Sequence, residues 1–339
     1  MPIALVAALA LGILAAPVST ARAAAAAPGG QVQVAELSPE AEQAINRGLR
    51  YLAAHQNPDG SWGNRHQVAI TSLSLMAFML QGHFPKKGEY GTLLDKGVDF
   101  LLGRSAQGGG YMGSHNYGMY EHALATLALS EVWGMSDRKE IRDAIKRAVE
   151  IILRSQNKEG GWRYHPRPES ADISVTVMQV VALASASEAG ILVPKKVIDR
   201  ALAYVKRCQK KFEGGFGYQP GREPRLSSSA AGLMSLLMCG ERDSKAVERA
   251  LRYLKGLSEE KFDDTRWYYY AHYYAIQAMY QAGEAHYQDW YPQIRDALLA
   301  KQKDDGQWKG GAGHDPSYGT AMSILILGVP YRFLPIYQR

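Results

Sequence analysis

Cysteine is scarce in this chain, with two residues in 339, and neither belongs to a C-x-x-C pair. That excludes a disulfide framework and the usual thiolate zinc or redox sites. Basic clustering is missing as well. Lys and Arg outnumber Asp and Glu by 39 to 33 but are scattered singly through both halves, so there is no basic stripe to mark a nucleic-acid partner. No apolar run reaches membrane length: the longest, Ile3 to Val18, has 16 residues, where a spanning helix needs ~20. What remains is 46% hydrophobic, enough to fill a large core.

The leader Ile3 to Val18 is followed by "TARAAAAAPGG", an A-x-A-like signal before a break, which predicts a secretory signal peptide cleaved near Ala24. No Lys or Arg precedes the run, so a retained anchor is the alternative. The expected organisation is a leader over 1–24, a flexible linker over 25–39 and one domain over 40–339, exported and not membrane-spanning once mature.

One unit recurs six times. A charged, helix-patterned segment ends in a Gly-containing turn closed by an aromatic, at Trp62, Tyr111, Trp162, Phe216, Trp267 and Trp308, at intervals of 49, 51, 54, 51 and 41. Each turn leads into a second helical stretch, rich in Ala, Leu, Met and Ser, that ends at Gly82, Gly134, Gly190, Gly240, Gly283 or Gly328, where glycine suits a helix C-cap. The first helix of each pair is apolar at i, i+3, i+4 and charged opposite, hence outer; the second is apolar nearly all round, hence buried. The fold expected is all-α: six hairpins in two concentric layers, an (α/α)6 ring. No repeat carries the polar caps that an open solenoid needs.

Gln56-x-x-x-Gly60-x-Trp62, Gln156-x-x-x-Gly160-x-Trp162 and Gln302-x-x-x-Gly306-x-Trp308 resemble the QW repeat of the squalene cyclase and prenyltransferase α/α-toroid superfamily. Gln209 to Phe216 is a variant one residue longer. The resemblance runs from about residue 40 to the end and implies fold more than activity. In it the glutamine serves free backbone groups, the glycine permits the turn and the aromatic fills the gap between outer helices.

Aligned on their glycine ends, the inner helices share a polar column: Thr71, His122, Thr176, Ser229, His272 and Thr320. Two residues on, Leu73, Leu124, Met178, Ala231, Tyr274 and Met322 form an apolar column. A step of two turns ~200° about a helix, so the columns face opposite ways. The expectation is polar toward the lumen, apolar toward the packing. Leu75, Leu129, Val180, Leu183, Leu233, Ile276 and Met279 would then form the lower wall. Candidate catalytic residues are His122, His272, Asp172, Glu121 and Tyr268. Candidate ligand contacts are Thr71, Thr176, Ser229, Thr320, Tyr269, Tyr120 and Arg225. His122 and His272 would face each other from axes ~20 Å apart across the ring and flank a ligand, or else be satisfied core histidines. Asp172 either serves a site or caps a helix and pairs with Arg225. Six helix N-termini at one mouth favour anions.

The chemistries of the resembled superfamily fit poorly. Class II cyclases protonate an alkene with the acid of D-x-D-D-T; the nearest match, Asp172 to Thr176, has Ser174 in the place of the proton donor. Asp263-Asp264-Thr265 falls in a turn and reads as a helix cap. Prenyltransferase zinc requires D-x-C, which neither Cys208 nor Cys239 satisfies, and no cofactor or metal is expected. Cys239-Gly-Glu-Arg242 lacks the glutamine of a thioester. Three functions remain open. The first is binding of an isoprenoid-like apolar small molecule, with or without transferase or cyclase activity. The second is a polysaccharide lyase using Tyr268, His272, His122, Arg163 and Arg167. The third is a scaffold for a protein partner.

Overall fold

The computed structural model describes residues 37–114, 117–261, 267–311 and 314–331, with side chains omitted at 258–261. Asp263, Asp264 and Thr265 lie outside the described residues. The chain divides into two units, and the described residues belong to the second, Val34–Arg339. The outer helices are α1 (Pro39–Ala54), α3 (Gly91–Gln107), α5 (Lys139–Ser155), α7 (Lys195–Cys208), α9 (Lys245–Lys261) and α11 (Glu284–Lys301). The inner helices are α2 (Gln67–Leu80), α4 (Gly118–Trp133), α6 (Ile173–Glu188), α8 (Leu226–Met238), α10 (Tyr268–Ala282) and α12 (Pro316–Leu327). A 3-10 turn, Val329–Tyr331, follows, and the described residues contain no β-strand.

Sequence pattern explains the layers. In α5 the residues Ile141, Ala144, Ile145, Ala148, Val149 and Ile152 are buried while Asp143, Lys146, Arg147 and Glu150 are exposed, a single apolar stripe. Helix α6 is rich in β-branched residues and buries nearly its whole girth; packing, not propensity, keeps it helical. Each inner helix packs on the next, and α12 returns to α2. The ring is therefore closed. The short last interval has a local cause: α10 and α11 are joined by Gly283 alone.

The turns fasten neighbouring repeats. Gln156 donates from one amide nitrogen to the Gly160 carbonyl at 2.8 Å and to the Val197 carbonyl of the next outer helix at 2.8 Å. Gln56 bonds Gly60 and Leu93 in the same way, Gln209 bonds Gly214 and Ala246, and Gln302 bonds Gly306 and Ala44. The Gln302 bond to Ala44 ties repeat six to repeat one. The indoles of Trp62, Trp162 and Trp308 are fully buried and donate to Leu52, Ile152 and Leu298 carbonyls at 2.7 to 2.8 Å. Each indole hides on the order of 200 Å², about 5 kcal/mol of transfer free energy. Gly160 has φ +95° and abuts the Arg200 carbonyl, where a Cβ would collide.

In repeat two the turn is shifted by one residue from the expectation. Gly110 takes the matching left-handed conformation, φ +99°, so the buried residue two positions later is Met112 and not Tyr111. Trp267 is no buried turn aromatic either: it is 44% exposed and precedes α10 as its N-cap residue. Among the described residues no helix is long and apolar enough to cross a membrane.

Candidate functional site

The polar column of the inner helices faces away from the lumen, contrary to expectation. Thr71 accepts the Trp62 backbone N–H at 3.0 Å, Thr176 that of Trp162 at 3.1 Å, Ser229 that of Phe216 at 2.9 Å and Thr320 that of Trp308 at 3.0 Å. In repeat two His122 does the same work: Nδ1 accepts from Met112 N–H at 3.2 Å and Nε2 donates to the Ala148 carbonyl of α5 at 3.1 Å. Burial pushes its pKa down to about 4, as for an imidazole kept neutral. His272 is also fully buried, against Tyr268 at 4.6 Å and Trp290 of α11 at 5.9 Å between ring centroids. At five of the six positions the column is polar because the turn leaves a buried N–H that must be accepted.

The lumen is lined by the opposite face. Two residues before the polar column stand Ala69, Tyr120, Ser174, Ser227, Tyr270 and Tyr318, all half-buried at the end where the inner helices begin. One turn deeper come Leu73, Leu124, Met178, Ala231, Tyr274 and Met322, the column assigned from sequence to the packing. Three phenols thus enter the lumen from α4, α10 and α12. Burial raises the pKa of all three, so they are neutral donors. The Tyr270 hydroxyl donates to the Ser174 carbonyl at 3.3 Å.

Charge surrounds this mouth. Glu121, in the first turn of α4, is almost fully buried; it accepts the Ser114 N–H at 2.7 Å and lies 2.9 Å from Nδ1 of His66. His66 is the N-cap residue of α2 in a left-handed conformation, φ 52°, rare for a residue with a Cβ. Its ring lies 6.4 Å from that of His314, which lies 5.0 Å from Tyr318. Asp172 is fully buried and caps α6 by accepting the Val175 N–H at 2.9 Å. Its partner is Arg163, at 3.7 Å, and not Arg225, which is exposed as the N-cap residue of α8. Desolvation raises the Asp172 carboxyl to about 6 against the opposing Val175 N–H, Tyr218 hydroxyl and Arg163 guanidinium. Tyr218 and Tyr164 share a hydrogen bond of 2.5 Å between their hydroxyls, and the Tyr164 ring lies 6.0 Å from Tyr120. Tyr117 stands 50% exposed at the rim.

Of the residues singled out from sequence, Tyr120, Glu121 and Asp172 lie at the end of the ring where the inner helices begin. Thr71, Thr176, Ser229, Thr320, His122 and His272 face away from the lumen. Tyr268 packs on His272 under the Lys301 ammonium, and Tyr269 donates to the Lys309 carbonyl at 2.7 Å, a brace to the sixth turn. The expected lower wall is displaced with its column: Leu75 packs beside Trp62 against Gly97 of α3. Val180 and Leu183 line a cavity of about 460 Å³ at the opposite end, with Val193, Leu237 and Arg242. The sequence does not single out His66, Tyr164, Tyr218 or Tyr318, and it marks Tyr270 only as one of the tyrosines in the run around His272; the signal for Tyr318 is the column one step of two before the polar one. No group of three or more His, Cys, Asp or Glu among the described residues is arranged to hold a metal.

Comparison with known proteins places this architecture. Drimenyl diphosphate synthase of Streptomyces showdoensis is 29% identical over 177 residues, covering 50% of this chain and 31% of that one. Lanosterol synthase erg7A of Aspergillus fumigatus is 23% identical over 135 residues, 36% of this chain and 17% of that one. The chain thus matches less than a third of the length of either relative. Among solved structures, an α-1,6-mannanase of Salegentibacter superposes with TM-score 0.60 at 8% identity, over 87% of this chain and 98% of that one. The type II terpene cyclase MstE of Scytonema, in complex with geranylgeranyl dihydroxybenzoate, gives 0.58 at 12%, with the same coverage. At such identities the two structures show a shared fold alone. The family model for the prenyltransferase alpha-alpha toroid domain matches residues 37–261, and the chain belongs to that family, as a prenyltransferase or terpene cyclase-like toroid.

Proposed function

We propose that this toroid binds an isoprenoid or similarly extended apolar small molecule at the mouth of its lumen. The observation that carries the reading is the lumen-facing column, in which Tyr120, Tyr270 and Tyr318 stand above Leu73, Leu124, Met178 and Met322. Such a surface offers aromatic faces and aliphatic walls to a hydrocarbon and a few hydroxyls to orient its polar end. Asp172 and the His66–Glu121 pair lie beside it. Ser174 presents to the lumen where the resembled cyclases carry their acid, and a serine hydroxyl cannot protonate an alkene. The reading is therefore one of binding, without alkene protonation at that position. The lyase reading loses its acid and base, since His122 and His272 face the outer layer. With the leader expected at the N-terminus, the ligand would be met outside the cytoplasm.

The test is to purify the chain without its leader, extract it with organic solvent and identify what is released by mass spectrometry, alongside titration with farnesol. A co-purified isoprenoid or saturable farnesol binding is expected. An empty extract with no farnesol binding, and binding of mannose oligomers instead, would transfer the tyrosine mouth to carbohydrate.

A further inference from the structure

The end of the ring where the inner helices finish holds a cavity of about 460 Å³, within the ~300–1,000 Å³ usual for small-molecule sites. Its walls are aliphatic: Val180 and Leu183 from α6, Val193 from the loop after it, Ile198 from α7 and Leu237 from α8. Two charged side chains also line it, Glu188 at the last position of α6 and Arg242 in the loop after α8. Arg242 is anchored at the end of α10, where two of its nitrogens donate to the Gln281 carbonyl at 2.8 Å and to the Gln281 side-chain oxygen at 2.9 Å. A guanidinium has five N–H donors, so donors remain for a ligand. Glu188 has no hydrogen bond or ion pair among the described residues, and burial alone raises its carboxyl. Helix α8 packs between α6 and α10. With neighbouring helix axes ~8–10 Å apart, the two opposite charges line one cavity on the order of 10 Å from each other and stay unpaired.

We infer that this cavity binds a short apolar peptide with both termini free, its ammonium on Glu188 and its carboxylate on Arg242. A carboxylate accepts the charge-assisted bonds that a guanidinium donates. The C-terminal end of α6, where the helix dipole is negative, favours the ammonium beside Glu188. Length agrees with this placement. A dipeptide spans ~7 Å, and a charge-assisted contact of ~2.8 Å at each end extends its reach to both groups. A single amino acid carries its two charges too close together to meet both. The aliphatic walls remove the peptide side chains from water. The inference does not depend on the isoprenoid reading, which concerns the other end of the ring.

Calorimetric titration of the full chain without its leader with leucyl-leucine, leucyl-leucinamide and N-acetyl-leucyl-leucine separates the two charges. Wild type is expected to bind leucyl-leucine at least about tenfold more tightly than either form with one end neutralised. Glu188→Gln should remove the preference over the acetylated form, and Arg242→Gln the preference over the amide. Ala184→Phe, a change in the cavity lining, should abolish binding of all three. Glu188 is exposed and holds no partner, so Glu188→Gln is secure as a folded variant and decides the matter if thermal melts show that Arg242→Gln, which gives up the Gln281 bonds, is unfolded. Absence of saturable leucyl-leucine binding to wild type overturns the inference. So does equal binding of the three ligands, tighter binding of the amide or the acetylated form than of the dipeptide, or a Glu188→Gln variant that keeps the wild-type order of affinities.

Discussion

Replacing His122 separates a fastening imidazole from a functional one. His122→Ala orphans the buried Met112 N–H, removes a donor from the Ala148 carbonyl and leaves a void in the packing between α4 and α5. An unsatisfied buried donor costs about 1–3 kcal/mol and a truncated core side chain about 2 more, so a loss of about 3–5 kcal/mol is expected. In a ring of this size 1 kcal/mol corresponds to roughly 2 °C, giving a drop of roughly 6–10 °C by calorimetry. Acidification adds a second signature. The folded imidazole is held neutral down to about 4, whereas in the unfolded chain it protonates near 6.5. The stability gained by burying it neutral is complete above pH 6.5 and is lost as pH falls toward 4, because only the unfolded chain takes up the proton. That range corresponds to about 3 kcal/mol. His122→Gln should therefore be less stable than wild type at pH 7.5, with the gap narrowing as pH approaches 4. Unchanged melting of His122→Ala, or a gap that stays constant from pH 7.5 to 4, would refute the fastening role.

Gly160→Ala places a Cβ against the Arg200 carbonyl at φ +95°; strain and overlap together should cost about 3–4 kcal/mol, read as a lowered denaturant midpoint. Asp172→Asn keeps an acceptor for the Val175 N–H and removes a buried charge. The folded carboxyl protonates near 6 and the unfolded one near 3.8, so wild type loses stability as pH rises between them. The variant should be more stable than wild type by up to about 3 kcal/mol at pH 7.5, with no such gain at pH 4; equal melting at pH 7.5 would show that the Arg163 and Tyr218 contacts already balance the burial.

The ring itself was legible because its fastening is written in side chains of fixed type at a fixed place. Gln56, Gln156 and Gln302 precede their glycines by four residues and their tryptophans by six, and the structure gives each of them the same two carbonyl partners by position. The inner helices were legible from their uninterrupted apolarity. What failed was the direction of one column. Periodicity states that two faces are opposite but not which is inside, and the assumption that polar means lumen overlooked the demand of the described turns for an acceptor. Thr71, Thr176, Ser229 and Thr320 meet it with a hydroxyl. Met112 was misread as Tyr111 for a related reason: aromatic type outweighed the distance from the glycine that fixes the turn.

Repetition and function are complementary in this fold. A residue kept in kind from repeat to repeat answers a need that all repeats share, and in a ring that need is the junction between neighbours. The polar column has that uniformity, and it is structural. The lumen column lacks it: alanine, tyrosine, serine, serine, tyrosine and tyrosine follow one another at positions 69, 120, 174, 227, 270 and 318, and no shared junction requires that order. The buried Asp172 and the left-handed His66 belong to the same class, since burying a carboxyl costs stability and a positive φ strains a residue with a Cβ. Departures from the sixfold pattern gather at the end of the ring where the inner helices begin, which puts ligand specificity with the irregular residues and closure with the regular ones.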